Sequence, residues 1–316
     1  MIATHGRGIF IIDDISPLRQ LSGDLLQKDL AMLPTRPTAV TSGHYGQGFP
    51  NTDSYAGPNA SEQAVIQYYL KDRMSTGDVT VDILDAAGNK LVSFPGTKRK
   101  GINVVRWDMR TAPPKMAKGV LVQGEMGVYA GFMGRMATPG SYKVRITAGK
   151  NVEEGTLTLT PDPLQPDLDY TRKSEAADRM FRMVEDLGFL VAQLDNLRDS
   201  VNARAAQVKD KKLKAKLEAY SASLEEHRKT LTEHIESKGI TGEQRLRARI
   251  GRLYVYSVMS DDLPTQSVMD GANVRTEELR QARAKAENMF TKELSDLNAG
   301  IRTKKLKPVS AIDYKE

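Results

Sequence analysis

The chain has 316 residues, of which 40% are hydrophobic and 27% are charged, and it contains no cysteine. This composition is typical of a globular protein, and the lack of cysteine excludes disulfides and thiolate metal sites. The formal charge of +6 comes from 46 basic and 40 acidic residues. The basic runs lack interleaved aromatic residues, so they indicate solvated surfaces rather than a nucleic-acid site. No apolar run approaches the roughly 20 residues that span a membrane.

The first predicted element is a single strand near the N-terminus. The run Gly8–Ile12 is apolar and β-prone, and Asp13 and Asp14 end it. The next strand-like segment lies far downstream. Because a lone strand leaves its backbone groups unpaired, we interpret residues 1–14 as the last strand of a domain whose other strands are absent. A proline-punctuated linker with a short leucine-rich helix completes residues 1–37.

Residues 38–163 are predicted to form an antiparallel β-sandwich of immunoglobulin or fibronectin III type. Turn sequences separate short segments that alternate in polarity or are rich in β-branched residues. These segments are Ala64–Leu70, Val79–Leu84, Lys90–Phe94, Gly101–Trp107, Ser141–Ala148 and Glu153–Thr160. The stretches 42–61 and 111–136 are predicted to be long surface loops. Trp107 is the only tryptophan, and its place in a strand predicts that it packs in the core.

Residues 164–302 are predicted to form an antiparallel helical bundle, because apolar residues recur there every three or four positions. Four helices are expected: one around Met180–Val201, one around Leu213–Leu231, one capped by Thr241 and one opening at Thr276. Residues 303–316 are predicted to be a flexible tail. The spacing leaves open whether the apolar faces of these helices pack against each other within one chain or against a second copy of the chain.

The titratable residues do not form a recognisable catalytic or metal-binding pattern. His227 and His234 lie two helical turns apart, about 10 Å along the axis, which is too far for one zinc ion. Asp13 and Asp14 are adjacent on a strand and therefore point to opposite faces. No catalytic residue, metal ligand or cofactor is assigned.

Two groups of residues are candidates for binding. His5 and Arg7 lie on the same face of the predicted strand, so both can reach one pocket or one carboxylate, or form a structural hydrogen-bonded corner. Tyr45, Phe49 and Tyr55 lie in the long loop and can contact a sugar or a partner protein.

Several segments resemble the C-terminal part of a protein family. Ala3–Leu21, which reads A-T-H-G-R-G-I-F-I-I-D-D-I-S-P-L-R-Q-L, resembles the closing strand of large secreted bacterial β-propeller proteins with BNR or sortilin-like repeats. Gly101–Arg110, with the pattern G-x-N-x-x-x-W-D-x-R, and Pro139–Val144, with P-G-x-Y-x-V, resemble their next domain, which is similar to fibronectin III and hook-capping domains. The segments Gly239–Gly242 and Asp262–Gln266 resemble the helical tail of these proteins.

The resemblance implies an accessory role rather than chemistry within this chain. Members of the family are often labelled glycosyl hydrolases, but this sequence has no propeller blades and no S-x-D-x-G-x-T-W motif. The resemblance therefore implies that this chain is a non-catalytic region of a secreted, periplasmic or cell-surface protein. Its partners would be an upstream propeller and a glycan or surface protein. Two alternatives stay open: part of an active glycoside hydrolase whose site lies mainly in the propeller, and a helical dimerisation module.

Overall fold

The computed structural model describes residues 2–3, 5–6, 8–11, 14–41, 62–119, 125–233 and 244–311. The chain divides into two compact units. The first comprises Met1–Ala112 and Met136–Tyr170, and the second comprises Pro113–Arg135 and Thr171–Glu316. The first unit contains the β-sheets and the second contains the long helices. The prediction of a β-rich part followed by a helical part is therefore confirmed.

The strands of the first unit follow the predicted segments closely. Their bounds are Ile2–Ala3 (β1), Ile9–Phe10 (β2), Leu30–Met32 (β3), Thr38–Ala39 (β4), Ala64–Leu70 (β5), Val79–Leu84 (β6), Lys90–Pro95 (β7), Gly101–Trp107 (β8), Gly140–Ala148 (β9) and Asn151–Thr160 (β10). All six strands predicted between residues 64 and 160 are present. The short strands β3 and β4 were not predicted, because two or three residues carry too little alternation to be recognised.

The N-terminal segment differs from its prediction. Strands β1 and β2 pair with each other in antiparallel fashion, with Ile2 opposite Phe10 and Ala3 opposite Ile9. The single unpaired strand expected over residues 1–14 is thus a small hairpin, whose turn includes the exposed residues His5 and Gly6. The linker contains two short helices, Ser16–Arg19 (α1) and Gly23–Gln27 (α2), in place of one.

Two larger sheets share one hydrophobic core. The five-stranded sheet has the order β4-β10-β9-β6-β7, and the three-stranded sheet has the order β3-β5-β8. Neighbours are antiparallel except for β4 and β10, which are parallel. The buried side chains come from both sheets and include Ile66, Tyr68, Val81, Ile83, Trp107, Val144, Ile146 and Leu157. Buried and more exposed residues alternate along β9, so this strand has one buried and one solvent-facing side.

The second unit is built from long helices around its own core. Their bounds are Tyr170–Gln207 (α3), Lys211–Thr232 (α4), Leu246–Met259 (α5), Gln266–Asn288 (α6) and Leu294–Thr303 (α7). A π-helical turn at Met289–Glu293 joins α6 to α7. The fourth helix begins ten residues before the predicted Thr276, because the side chain of Thr265 caps it by accepting a hydrogen bond from the Val268 amide. Thr241, the predicted cap of α5, lies outside the described residues.

The segment Pro113–Arg135 differs most from its prediction. We expected it to be a surface loop within the sandwich range 38–163, yet it clusters with the helices. Its described part includes a 3₁₀ helix at Met126–Gly131, and helix side chains bind its backbone. The Arg247 Nε donates to the Ala117 carbonyl at 2.9 Å, and the Tyr254 hydroxyl donates to the Met133 carbonyl at 2.7 Å. These bonds satisfy polar groups that would otherwise need water.

The C-terminal segment also differs from its prediction as a flexible tail over 303–316. Val309 is buried in the helical core, and the Asn298 amide binds both of its backbone groups. Asn298 Nδ2 donates to the Val309 carbonyl at 2.7 Å, and the Val309 amide donates to Asn298 Oδ1 at 2.8 Å. One buried side chain thus fixes the described part of the tail against the core. Residues 312–316 lie outside the described residues.

Candidate functional site

The binding residues predicted from the sequence are only partly placed by the structure. His5 lies exposed in the turn between β1 and β2. Arg7, Tyr45, Phe49 and Tyr55 lie outside the described residues. Their roles, including the grouping of His5 with Arg7, therefore stay predictions.

The conspicuous residues of the G-x-N-x-x-x-W-D-x-R pattern have structural roles. Asn103 is only 2% exposed, and its side chain organises the turn before β8. Its Oδ1 accepts from the Thr97 hydroxyl at 2.6 Å and the Arg99 amide at 3.1 Å. Its Nδ2 donates to the carbonyls of Arg99 at 2.7 Å and Gly101 at 2.9 Å. The side chain is fully used in this turn.

The tryptophan of the same pattern is also structural. Trp107 is fully buried, as predicted, and its Nε1 donates to the Arg110 carbonyl at 2.7 Å. Its ring contacts Tyr142 edge-on, with the ring centroids 5.6 Å apart. Tyr142, from the P-G-x-Y-x-V pattern, donates its hydroxyl hydrogen to the Thr138 carbonyl at 2.7 Å. The two patterns therefore meet in the core of the sheet unit.

The described part of the helical unit contains a cavity of about 310 Å³ with a polar lining. Three helices contribute to it. The lining residues are His227, Thr230 and Leu231 of α4, Leu246 and Arg249 of α5, and Glu278, Gln281, Ala282 and Lys285 of α6. The apolar faces of these helices pack against each other. Side chains that are distant in the sequence therefore lie close together at the edge of this contact. This cavity is our candidate functional site.

His227 forms one wall of the cavity and is only 3% exposed. Its Nε2 lies 3.0 Å from the carbonyl oxygen of Ala282. Because a carbonyl only accepts, Nε2 carries the proton, and Nδ1 of the neutral ring is an acceptor. Burial lowers the pKa of His227 below its ordinary value, and the positive charge of Lys285 lowers that pKa further. The ring is therefore neutral at pH 7.

The charged side chains that line the cavity differ in whether they form ion pairs. Glu278 Oε1 lies 3.2 Å from the Arg249 guanidinium and 2.6 Å from the guanidinium of Arg275. Among the described residues, no carboxylate is paired with Lys285. Helix α5 begins at Leu246, which lines the cavity, and its first turn contains no acidic residue. The described lining thus contains two cations, Arg249 and Lys285, and the positive end of a helix dipole. Its carboxylate, Glu278, already forms ion pairs.

Within the part of the chain that the structure describes, three buried polar atoms of the lining residues have no hydrogen-bond partner. They are His227 Nδ1, Arg249 Nε and Glu278 Oε2. A buried polar atom without a partner typically costs about 1–3 kcal/mol, so native proteins rarely leave such atoms together. The described residues contain no group of three or more side chains that could hold a metal ion.

Comparisons with protein-family models, curated proteins and solved structures return no match. None of the described helices is long and apolar enough to cross a membrane.

Reasoning from the sequence rejected His227 as a metal ligand in favour of a partly buried histidine on the flank of a helix, and it missed Arg249, Glu278 and Lys285. Arg249 and Glu278 are 29 positions apart on different helices. In the sequence each is one of many charged residues on an amphipathic helix. A surplus of arginine near the start of α5 was the only local signal, and it did not indicate which residues would meet.

Proposed function

We propose that this chain is a non-catalytic accessory and binding region of a secreted bacterial protein whose other part is a β-propeller of BNR or sortilin-like type. The resemblance of Ala3–Leu21 and of the two later motifs supports the proposal. One observation supports the proposal that the chain is not catalytic. The side chains of Asn103, Trp107 and Tyr142 form hydrogen bonds that hold the fold together. The polar groups of these motif residues are used to build the fold of the sheet unit.

The proposed fold of the first unit is a fibronectin III-like sandwich. Its three-stranded and five-stranded sheets, with the parallel pair β4 and β10 at one edge, support this interpretation. Tyr142 lies near the start of β9 and bonds back to Thr138, as the tyrosine corner of such sandwiches does. We propose an antiparallel bundle for the second unit, and that residues 1–14 join the last propeller blade in the complete protein.

The dimerisation alternative receives no support from the apolar seam. Residues such as Leu187, Leu194, Leu217 and Leu224 are buried within a single chain. A second copy is therefore not needed to cover them. Light scattering of the purified chain is expected to give the mass of a monomer.

The proposal is tested on the native protein with an antibody raised against this chain. Fractionated cells and medium are probed by immunoblotting, with a cytoplasmic enzyme and an exported enzyme as fractionation controls. We expect a band far above 34.9 kDa, the mass of this chain, in the exported fractions. A 34.9-kDa band confined to the cytoplasm would contradict the proposal.

The non-catalytic part is tested separately with the purified chain. Chromogenic glycosides of several sugar types are incubated with it, and the release of the dye is measured. We expect no turnover above that of a heat-denatured sample. Reproducible hydrolysis that follows the protein through two chromatographic steps would overturn this part of the proposal.

A further inference from the structure

We propose that one end of the helical unit binds the surface of an anionic lipid bilayer through a cluster of exposed cations. We call this cluster the basic surface. Its members are Lys209, Lys211, Lys212, Arg302, Lys305 and Lys307. The inference goes beyond the accessory function and does not depend on it.

The fold brings together two basic runs that lie far apart in the sequence. Lys304 Nζ, just after α7, lies 3.0 Å from Asp210 Oδ2, just before α4. Leu213 of α4 and Ile301 of α7 are buried in the same hydrophobic core, which holds these two helix ends against each other. Every residue of the basic surface is at most three positions from Asp210 or Lys304. Its α-carbon therefore lies within about 11 Å of one of these two residues.

The basic surface concentrates positive charge. Its six side chains are exposed, and in the described part of the chain no carboxylate forms an ion pair with them. The acidic residue between them, Asp210, is already bound to Lys304 and caps α4 by accepting from the Leu213 amide at 2.8 Å. Charges separated by no more than about one Debye length, which is about 10 Å at 0.1 M salt, act together on a partner. The six cations therefore attract an anionic surface as one group.

The stability of the helices does not account for these lysines. Lys211 and Lys212 occupy the first turn of α4, where the helix dipole disfavours a cation. Lys305 has a φ of 56°, in the left-handed region where glycine is the usual residue after a helix. Both features cost stability in the unbound chain, and an anionic partner would offset the first of them.

The chemistry of the side chains favours a bilayer over a nucleic acid. Five of the six cations are lysines, whose hydrated ammonium groups lack the planar fork with which arginine binds phosphates. Neither basic run contains an aromatic residue on which a base can stack. Lipid headgroups diffuse laterally, so they can gather under such charges without a fixed geometry. Clusters of roughly four to eight basic residues on amphipathic helices are typical of proteins that bind anionic lipids.

The contact with the bilayer is electrostatic. In the described residues 209–212 and 302–307, no large hydrophobic side chain is exposed that could insert between the lipids. Each lysine near an anionic bilayer is expected to strengthen binding roughly fivefold. Because salt screens such charges, binding should weaken steeply as the salt concentration rises.

The test is co-sedimentation of the full chain with lipid vesicles at about 0.1 M sodium chloride. The vesicles contain either phosphatidylcholine alone or phosphatidylcholine with about 30% of the anionic lipid phosphatidylglycerol. We expect the chain to bind only the anionic vesicles and to be released at about 1 M salt, where the Debye length is about 3 Å. Equal binding of neutral vesicles, binding that survives the high salt, or no binding of anionic vesicles at millimolar lipid would overturn the proposal.

Competitors separate a bilayer from other polyanions. Duplex DNA and the acidic polysaccharide alginate are added at the same total charge as the anionic lipid. We expect neither to displace the chain from the vesicles. Displacement by either of them would overturn the proposal in favour of a general polyanion surface.

Two triple variants with the same loss of charge show whether binding uses the basic surface. Lys211→Gln, Lys212→Gln and Lys305→Gln together should weaken binding to anionic vesicles roughly a hundredfold, at about fivefold for each lysine. The control combines Lys150→Gln, Lys285→Gln and Lys292→Gln, because these lysines are exposed and lie outside the basic surface. Circular dichroism checks that both variants keep the fold. Equal weakening in the two variants would show that net charge alone is responsible and would contradict the assignment.

Discussion

Gly127 and Gly251 meet backbone to backbone in the helical unit. A β-carbon on Gly251 would overlap the carbonyl oxygen of Gly127, and one on Gly127 would lie 2.5 Å from the carbonyl oxygen of Ala248. A similar approach occurs at Gly188 of α3, where a β-carbon would overlap the carbonyl oxygen of Lys115. Two helices thus use glycine to let the segment Pro113–Arg135 approach their backbones.

The close approach predicts that Gly251→Ala destabilises the helical unit. The added methyl group has no space against the Gly127 carbonyl, so the 3₁₀ helix must shift, at a cost of about 1–3 kcal/mol. Urea unfolding followed by circular dichroism at 222 nm measures the effect. Gly271→Ala in α6 is the control, because its β-carbon would make only ordinary contacts with Leu253. That variant should be neutral or stabilising, since alanine favours a helix. Equal midpoints for the two variants would refute the packing argument.

Asn103→Ala is predicted to destabilise the sheet unit by at least about 2 kcal/mol, because it removes four hydrogen bonds in a buried turn. Trp107 is the only tryptophan and is buried in this unit, so its fluorescence reports the unfolding directly. Asn202→Ala changes an exposed asparagine on α3 and serves as the control. If both variants unfold at the same urea concentration, Asn103 does not organise the turn.

Tyr220→Phe is predicted to weaken the helical unit by about 1 kcal/mol. The Tyr220 hydroxyl donates to the Met289 carbonyl at 2.7 Å, at the start of the π-helical turn, and burial raises the pKa of this tyrosine. Phenylalanine keeps the packing and removes only the hydrogen bond. Tyr256 is 49% exposed, so Tyr256→Phe should leave the free energy of unfolding unchanged. Hydrogen exchange at the Leu294 amide should accelerate in Tyr220→Phe alone; unchanged exchange would argue against this role.

The lowered pKa of His227 predicts a dependence of stability on pH. Because the folded state disfavours the protonated ring, the unfolded chain binds more protons below its ordinary pKa of about 6.5. The contribution of His227 is therefore complete above pH 6.5 and is lost as pH falls through the lower pKa of the folded state. Lys285 and Arg249 add positive charge around the ring, whereas Glu278 opposes them.

His227→Gln should reduce this loss of stability between pH 7.5 and pH 5, because glutamine can still donate to Ala282 but does not titrate. Urea midpoints measured across this range test the prediction. His5→Gln replaces an exposed histidine and should retain the pH dependence of the parent chain. A parent-like slope in His227→Gln would show that other groups cause the dependence.

The sequence by itself determined the local elements of both units. Alternation located β5 to β10 within two residues, because most of these strands bury alternate residues, although β7 buries none. The spacing of apolar residues likewise located α3 and α4, because one side of each helix is buried. Trp107 was placed in the core correctly, since it lies within a strand whose alternate residues are buried.

Only the tertiary structure decided where segments without a periodic pattern lie. In the sequence, the glycines of Pro113–Arg135 look like those of any loop. Only the structure shows that Gly251 and Arg247 pack against them. The burial of Val309 depends in the same way on Asn298, eleven residues earlier. The candidate site has the same origin, because Arg249, Glu278 and His227 become neighbours only when three helices pack. Periodicity reports which face of an element is buried, whereas these contacts depend on which elements face each other.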